Sequence, residues 1–250
     1  MNQDPNLPLV TIITVVFNSV NTLEQAIKSV INQSYPNIEY IVIDGGSNDG
    51  SVEVIEKFSS RVNYWISEKD EGIYYAMNKA LKQASGAIIG ILNSDDWYER
   101  NAIELAVNYY CSNLDVDIIH GLLRFIGANE KPDSVVGHYS SFLDNGMIEH
   151  PTCFIKKSLY DRVGDFNTNY RSAADYEWML RARRVGAEFL FIPELLTNFR
   201  RGGMSDSFYG FTEELSIKKQ FGLISPFKCF YWKVYSKYLG PTKKFLYGRT

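Results

Sequence analysis

The sequence lacks the cysteine and histidine patterns of a zinc-bound or disulfide-linked domain. It has three cysteines and three histidines in 250 residues, and none stand at metal-ligand spacing. It also lacks any run of about 18 apolar residues, and residues 1–9 carry no secretory signal pattern. We therefore expect a cytoplasmic protein with reduced thiols and no membrane span of its own.

The motifs of several large enzyme classes are absent as well. No G-x-G-x-x-G follows the first strand-like run, and no Walker-type phosphate loop occurs, so a Rossmann dinucleotide site and a P-loop enzyme are both disfavoured. Neither G-x-S-x-G nor H-E-x-x-H is present, which removes the commonest hydrolase classes. A sugar-phosphate nucleotidyltransferase would need a Gly- and Lys/Arg-rich loop after the first strand, and residues 17–21 do not supply one.

A regular alternation of strand-like and helix-like segments fills about the first hundred residues. Apolar runs at 9–17, 38–43, 62–67 and 87–92 are separated by segments whose apolar residues recur at helical spacing. This order predicts an α/β fold with a parallel sheet and right-handed crossovers.

The second half of the chain predicts a mixed arrangement. We expect strands at 117–126, 133–139, 150–155, 188–192 and 195–200, the last two separated by Pro193, and helices at 99–112, 158–163 and 174–185. The segment beyond the glycines at 202 and 203 is predicted to be helical.

Carboxylates follow two of the predicted parallel strands. Asp44 comes after the second strand, and Asp95 with Asp96 after the fourth. The carboxyl ends of parallel strands form the ligand crevice of such a sheet, where one acid can bond a base or ribose and another a divalent cation. Two alternatives stay open: Asp44 opens an Asx turn, or Asp95 or Asp96 caps the helix predicted from about Glu99.

Five segments together resemble the family 2 glycosyltransferases of the glycosyltransferase A fold, particularly the bacterial branch that builds polysaccharides. They are TIITVVFN, IDGGSNDGS, DEGIYYAMNKAL, ASGAIIGILNSDDW and HPTCF with AADYEWMLR, and they span roughly residues 8–205. The resemblance implies one glycosyltransferase A-type domain over 1–205, with a mostly parallel central sheet flanked by helices. Its nucleotide-binding half would cover about 8–98 and its acceptor half about 99–205, with a helical extension at 206–250.

The resemblance also implies residue roles in a nucleotide-sugar site. The implied contacts to the nucleotide-sugar are Thr14, Val16, Phe17, Asp44, Gly72, Asn78, Lys79, Asp95 and His150. Asp44 would bond the base, Asp95 the ribose or sugar, and Asp96 would bind the Mn²⁺ or Mg²⁺ ion that bridges the diphosphate. Asp175 matches the family's catalytic base, which fits an inverting mechanism.

Two of these positions have simpler interpretations, and Arg200 is a further candidate with an alternative of its own. Asp175 could be a helix N-cap, and His150 a hydrogen-bonded structural histidine. Arg200, with Arg201 and the glycine-containing loop at 202–205, could close over the diphosphate, because guanidinium groups suit phosphate. An exposed basic turn is the alternative for that loop.

One position departs from the family pattern. Relatives tend to read GIYDAMN, whereas this chain has Tyr75 in place of the acid. The missing acid would alter contacts to the sugar or acceptor. It leaves the metal ligand and the base unaffected.

Residues 215–250 differ in charge from the rest of the chain. They contain eight Lys or Arg, nine aromatic residues and no Asp or Glu, although the whole chain has a net charge of −3. Such a segment could lie on an anionic membrane surface. The alternatives are packing on the core or on a second subunit as a homo-oligomer; nucleic acid is not an expected partner.

The sequence, with the family resemblance, therefore predicts a cytoplasmic, metal-dependent inverting glycosyltransferase, and the inner face of the cell membrane is one possible location. The enzyme would move a sugar from a nucleotide-sugar, UDP-linked in our interpretation, to a glycan or lipid-linked acceptor in bacterial surface polysaccharide synthesis. The alternative is a non-catalytic sugar-nucleotide-binding subunit of a membrane-associated assembly.

Overall fold

The computed structural model describes residues 7–127, 129–202 and 208–239, in which helices lie on both faces of a mixed sheet. The first half contains β1 (Val10–Val16), α1 (Val20–Ile31), β2 (Ile38–Asp44), α2 (Ser51–Lys57), β3 (Tyr64–Ser67), α3 (Ile73–Gln83) and β4 (Ile88–Asn93). The second half contains β5 (Trp97–Tyr98), α4 (Ala102–Ser112), β6 (Ile118–Ile126), β7 (Pro132–Val136), β8 (Phe154–Lys156), α5 (Lys157–Val163), α6 (Ala174–Arg184), β9 (Phe189–Arg200), α7 (Phe208–Gln220) and α8 (Pro226–Leu239).

The first strand is the centre of the parallel half. β1 pairs with β2 on one side and β4 on the other, and β3 adds to β2, all in parallel. Every residue of β1 is buried, as expected for a strand covered on both faces. The α/β fold and the predicted parallel first half are confirmed.

Two hydrophobic cores lie on opposite faces of this sheet. Side chains alternate along β1, so Ile12 joins the cluster that contains Leu23 of α1, and Ile13 joins the cluster that contains Met77 of α3. Burial of such aliphatic side chains stabilises each layer by about 1.5–3 kcal/mol per residue. The parallel strands are thereby fixed between two helical layers.

The strands of the second half run in both directions. β8 is antiparallel to both β4 and β6, whereas β9 is parallel to β6 and antiparallel to the short β5. β7 forms a hairpin with β6. The expected mixed second half is confirmed, and only the first four strands form the all-parallel part of the sheet.

The strand expected over residues 150–155 is wrong in its first half. His150–Thr152 forms a 3-10 turn, and β8 begins only at Phe154. Pro151 has no N–H to donate to a strand ladder, and the Thr152 hydroxyl instead bonds the Glu149 carbonyl at 2.7 Å. The turn packs against β4 and so lies close to the acidic end of that strand.

The two strands expected around Pro193 form one continuous strand, β9. Its register with β6 shifts opposite residues 120–123, where Phe191 and Leu195 flank the proline. A proline is accepted inside a sheet at such an irregularity because no ladder hydrogen bond is required of it there.

The C-terminal part described here is helical, as predicted. α7 packs on α6, and the α7 residues Phe211 and Leu215 form a small buried cluster with Cys229 of α8. Among the helices of the described ranges, none is both long and apolar enough to cross a bilayer.

Gly86 allows the chain before β4 to pass close to β1. A Cβ at this position would lie 2.6 Å from the Thr11 nitrogen and 2.8 Å from the Leu9 carbonyl oxygen. We expect Gly86→Ala to lower the free energy of unfolding by about 1–3 kcal/mol, measured by urea denaturation. Gly127→Ala is the control, because its Cβ would meet nothing closer than 3.4 Å. An unchanged midpoint for Gly86→Ala would contradict the described packing.

Candidate active site

The carboxyl ends of β2, β1 and β4 meet at one edge of the sheet. Val16 is in register with Asp44, and Val15 with Asn93. Adjacent strands lie about 4.8 Å apart, so the loops after these strands are immediate neighbours. The sequence expectation that Asp44 and Asp95–Asp96 share one sheet edge is confirmed by this strand order.

Phe17 is the exposed aromatic residue at this edge. Its side chain is 63% exposed directly after β1, although most of the protein's large apolar residues are buried. The nearby Thr14 and Val16 are buried, and the Thr14 hydroxyl accepts a hydrogen bond from Tyr40 at 3.0 Å. Thr14 and Val16 on β1 and Phe17 directly after it are the three predicted base contacts. Of these three, Phe17 is the one whose side chain is exposed to a ligand.

Asp44 forms the Asx turn that was the alternative interpretation of this residue. The carboxylate is fully buried and accepts the backbone N–H groups of Gly46 at 3.0 Å and Ser47 at 2.9 Å. The hydroxyls of Ser67, at 2.6 Å, and of Ser47 also donate to it. Its predicted bond to a base stays a prediction, and that bond would have to replace one of these contacts.

Hydrogen bonds between side chains and backbone join the loops at this edge, a feature that the sequence analysis missed. The Asn18 side chain accepts the Asn48 N–H at 3.0 Å, and the Ser47 hydroxyl accepts the Asn18 N–H at 2.8 Å. Asn18 adopts a φ of 49°, a conformation that asparagine tolerates better than most residues. Ser94 and Ser19 bond through their hydroxyls at 2.7 Å. The three strand-end loops are thus held as one surface.

Asp96 carries a buried carboxylate with one oxygen unpartnered. The residue is fully buried, Oδ1 accepts the Arg200 backbone N–H at 3.1 Å, and Oδ2 has no hydrogen-bond partner. Burial raises the pKa of Asp96 well above its usual value, and the charge of Asp95 adds to this effect. Asp95 is partly exposed, and burial also raises its pKa. The Arg200 N–H and the charge of Arg200 offset part of this effect at Asp96, and the free Oδ2 favours a cation at this turn.

Neither acid caps a helix. α4 begins at Ala102 and its cap residue is Asn101, five positions after Asp96. The N-cap interpretation of Asp95 and Asp96 is therefore wrong. Both residues lie in the tight turn after β4, where Asp96 donates its backbone N–H to the Asn93 carbonyl at 3.2 Å.

The residues present fit a divalent ion held jointly by protein and ligand. Within 7–127, 129–202 and 208–239, no three His, Cys, Asp or Glu side chains converge to form a metal cage. Mg²⁺ is usually bound by one or two carboxylates plus substrate phosphates, and Mn²⁺ prefers the same oxygen ligands. The free Oδ2 of Asp96 suits that arrangement, because one carboxylate oxygen is left for an ion.

Arg200 contacts the turn that contains Asp95 and Asp96. Its guanidinium bonds the Asp95 carbonyl at 2.5 Å, pairs with Glu130 at 3.0 Å and stacks 4.6 Å from the Trp97 ring centroid. The side chain is only 15% exposed, so the alternative of an exposed basic turn fails for Arg200, although Arg201 is 46% exposed. A contact to the diphosphate stays a prediction. Most of the loop expected to close with it, residues 203–205, lies outside the described residues.

Asp175 lies in the first turn of α6 and is held by Tyr74. The Tyr74 hydroxyl donates to Asp175 Oδ1 at 3.0 Å, and the Tyr176 N–H donates to the same oxygen at 2.9 Å. The N-cap residue of α6 is Ala173, so the capping interpretation of Asp175 is wrong. Asp175 remains partly exposed at the N-terminal end of the helix.

Tyr74 was missed by the sequence analysis although it belongs to the GIYYAMN segment. Burial, and then the charge of Asp175, raise the pKa of Tyr74 well above its usual value, so its hydroxyl stays a donor. The neighbouring Tyr75, at the position that departs from the family pattern, is 38% exposed. Tyr74 stands three residues before Met77 on the buried face of α3, whereas Tyr75 is on the exposed face. This helical spacing is the sequence signal that separates the two tyrosines.

His150 lies beside Asp175 in the turn before β8. It is buried and packs edge-on against Phe166 with centroids 6.2 Å apart. Burial lowers the pKa of His150, while the negative charge of Asp175 acts in the opposite direction. The predicted contact of His150 with a nucleotide-sugar stays a prediction.

Three predicted contacts around α3 bond to the protein itself. The Asn78 amide makes two 2.9 Å hydrogen bonds with the Phe166 backbone, one in each direction. Lys79 pairs with Glu68 at 2.5 Å, and Gly72 donates its N–H to Asp70 at 3.0 Å. Asn78 therefore fixes the loop before α6, and its predicted contact with the nucleotide stays a prediction. The roles of Gly72 and Lys79 stay predictions.

The chain belongs to glycosyltransferase family 2. The family model described as "Glycosyl transferase family 2" matches residues 11–176, about two thirds of the chain. An uncharacterized glycosyltransferase of Mycobacterium tuberculosis is 33% identical over 183 residues, which cover 71% of this chain and 70% of that protein. This agrees with the family resemblance identified in the sequence.

Two solved structures share the fold. A fragment of S. aureus TarS in complex with UDP-GlcNAc has a TM-score of 0.71 and 18% identity, over 95% of this chain and 75% of that one. The mannosyltransferase PcManGT of Pyrobaculum calidifontis, in complex with GDP-Man and Mn²⁺, has a TM-score of 0.64 and 19% identity, over 86% of this chain and 62% of that one.

The unpartnered oxygen of Asp96 leads to a test in the absence of substrate. Replacing Asp96 by Asn removes a buried charge, so we expect the melting temperature in EDTA to stay equal or rise by a few degrees. The stabilisation of the wild-type protein by Mn²⁺ with a nucleoside diphosphate should disappear in the variant. Asp161→Asn is the control, because the Asp161 side chain is 67% exposed. Equal stabilisation of wild type and Asp96→Asn would exclude this carboxylate as the ligand.

Proposed function

We propose that this family 2 glycosyltransferase is metal-dependent and inverting, and that it transfers a hexosyl group from a UDP-linked donor. The acceptor would be a glycan or a lipid-linked sugar in bacterial surface polysaccharide synthesis. The observation that carries the proposal is a pair of separate acids. One is the buried Asp96 with a free oxygen, and the other is the partly exposed Asp175 oriented by Tyr74.

The residues at the sheet edge suit the donor. A divalent ion bound at Asp96 would supply positive charge for the departing diphosphate. Asp95, partly exposed beside it, is placed to contact the ribose or the sugar. Phe17 offers an exposed ring on which a base can stack, and the UDP and UDP-GlcNAc complexes of TarS support a uridine donor.

The residues around α6 suit the acceptor. As the acceptor oxygen forms a bond to the anomeric carbon, its proton passes to the Asp175 carboxylate. The bond from that carbon to the phosphate oxygen breaks, and its electron pair leaves with the diphosphate. The Tyr74 hydroxyl keeps Asp175 in place while Oδ1 remains its acceptor. Attack from the side opposite the leaving group gives inversion.

Turnover of the donor separates this enzyme from a subunit that only binds sugar nucleotides. With Mn²⁺ and a panel of nucleotide-sugars, we expect UDP release from a UDP-sugar, and a loss of at least about 100-fold in Asp175→Asn. UDP affinity should be unchanged in that variant, because Asp175 is on α6, whereas the proposed metal ligand Asp96 is in the turn after β4. Glu177→Gln is not a suitable control, since Glu177 is buried and pairs with Arg181; the exposed Asp161→Asn is suitable.

Three outcomes would contradict parts of the proposal. Wild-type turnover in Asp175→Asn would remove the base assignment, and UDP binding without turnover of any donor would favour the non-catalytic subunit. Stabilisation by GDP-mannose in preference to UDP-sugars would assign a guanosine-linked donor in place of a uridine-linked one. The structural neighbour PcManGT was solved in complex with GDP-Man.

The exposed face of α8 is proposed as a contact to an anionic membrane. Phe227, Phe230, Tyr231 and Val234 stand at helical spacing and are 78%, 67%, 51% and 39% exposed, whereas Cys229 on the other face is buried. We call these four residues the α8 stripe. The excess of lysine and arginine in 215–250 favours an anionic lipid surface over a second copy of the same basic segment. This contact would bring the enzyme to a lipid-linked acceptor at the inner face of the cell membrane.

Vesicle flotation tests the α8 stripe. We expect binding to phosphatidylcholine vesicles that contain phosphatidylglycerol, weaker binding in high salt, and a decrease of about tenfold or more in Phe227→Ser/Phe230→Ser. Leu114→Ser is the control, because Leu114 is an equally exposed apolar residue elsewhere, at 77%. Equal binding by the double variant would contradict the assignment. Concentration-dependent dimerisation that the double variant abolishes would assign the stripe to a second copy.

A further inference from the structure

Glu213 of α7 makes three hydrogen bonds to the segment that precedes α6. Its Oε1 accepts the Arg171 N–H at 2.8 Å, and its Oε2 accepts the N–H groups of Ser172 at 2.8 Å and Ala173 at 3.1 Å. One carboxylate thus binds three consecutive backbone donors, about 40 residues away in the chain. The residue lies outside the part of the chain that matches the family model.

These donors lie at the cap residue of α6 and in the two residues before it. The first N–H groups of a helix have no partner within the helix, and a Ser, Thr, Asp or Asn side chain at the cap commonly satisfies one of them. The cap residue of α6 is Ala173, which has no such side chain. The Glu213 carboxylate accepts the N–H of this cap residue, as a third-position side chain does in a capping box, and also the N–H groups of the two residues before it. A charged acceptor makes stronger bonds than a neutral one.

α7 is itself held firmly enough to fix this carboxylate. Ile217 is fully buried in the core that contains Tyr74, and Leu215 packs in the cluster with Cys229. On the same side of α7, the Tyr170 hydroxyl donates to Gln220 at 2.9 Å. The helix and the segment 170–173 are thus connected at both ends of their contact.

We propose that Glu213 is a positioning residue for Asp175, and this inference rests on the proposed role of Asp175 as the base. Asp175 follows Ala173 by two residues within the same helical turn, so the backbone that Glu213 binds sets where the Asp175 carboxylate lies. Tyr74 holds the carboxylate from the side of α3, and Glu213 holds its backbone from the side of α7. The C-terminal extension is therefore part of the catalytic arrangement.

The test is a double-mutant cycle with Asp175. Glu213→Gln keeps one carbonyl acceptor and replaces the other with an N–H₂ donor, so we expect kcat to fall by about 10- to 100-fold. The affinity for UDP with Mn²⁺ should change less than twofold, since the substitution leaves the turn with Asp95 and Asp96 unchanged. In the Asp175→Asn background, Glu213→Gln should lower the residual rate no further. Lys219→Gln is the control, because Lys219 is an exposed charged residue on the same helix.

A second measurement separates positioning from a loss of folding. Hydrogen exchange should become faster at the amides of residues 171–173 in Glu213→Gln, while the melting temperature falls by no more than a few degrees. A kcat loss that follows the unfolded fraction, or that is equally large in the Asp175→Asn background, would overturn the inference. Wild-type kcat in Glu213→Gln would also overturn it, even with Asp175→Asn inactive, in which case the proposed function itself would stand.

Discussion

The parallel pairing of β1 with β2 and β4 is the constraint on which the candidate site depends. Because β1 is buried on both faces, its neighbours cannot shift by one residue without moving apolar side chains out of both cores. The same register places Asp44 and Asn93 on either side of the end of β1. The hydrophobic cores therefore decide which polar loops meet, and the loops then add hydrogen bonds of their own.

The two acids of the proposed mechanism are supported in different ways. Asp96 is buried with an unpartnered oxygen, an arrangement that costs free energy until a cation arrives. Asp175 is partly exposed, its carboxylate accepts a hydrogen bond from Tyr74, and the backbone before it donates hydrogen bonds to Glu213. The first site is set up to receive positive charge, and the second is set up to keep a carboxylate in one orientation.

The fold could be predicted from sequence wherever apolar periodicity was strong. The strands of the parallel half, their helices and the acids at their ends follow from patterns within about ten residues. The partners of Asp44, Asn78 and Arg200 could not be predicted in this way, because they depend on contacts between distant segments. Asn78 is an example: its amide bonds Phe166, 88 residues away, and no local pattern indicates that contact. The strand break predicted at Pro193 was wrong for a related reason, since the irregularity that accepts this proline depends on β6.

Helix α3 connects two parts of the chain that are otherwise separate in sequence. It belongs to the first hundred residues, yet Tyr74 and Asn78, about one turn apart, bond Asp175 and the Phe166 backbone in the second half. Recombination between relatives near residue 98 would transfer the sheet edge that carries Asp44 and Asp96 as an intact unit. It would also transfer the Tyr74 and Asn78 side chains. A hybrid would thus inherit the orientation of the proposed base, Asp175, from the parent that supplied the first half of the chain. The two halves would have to be compatible at Tyr74 and Asn78.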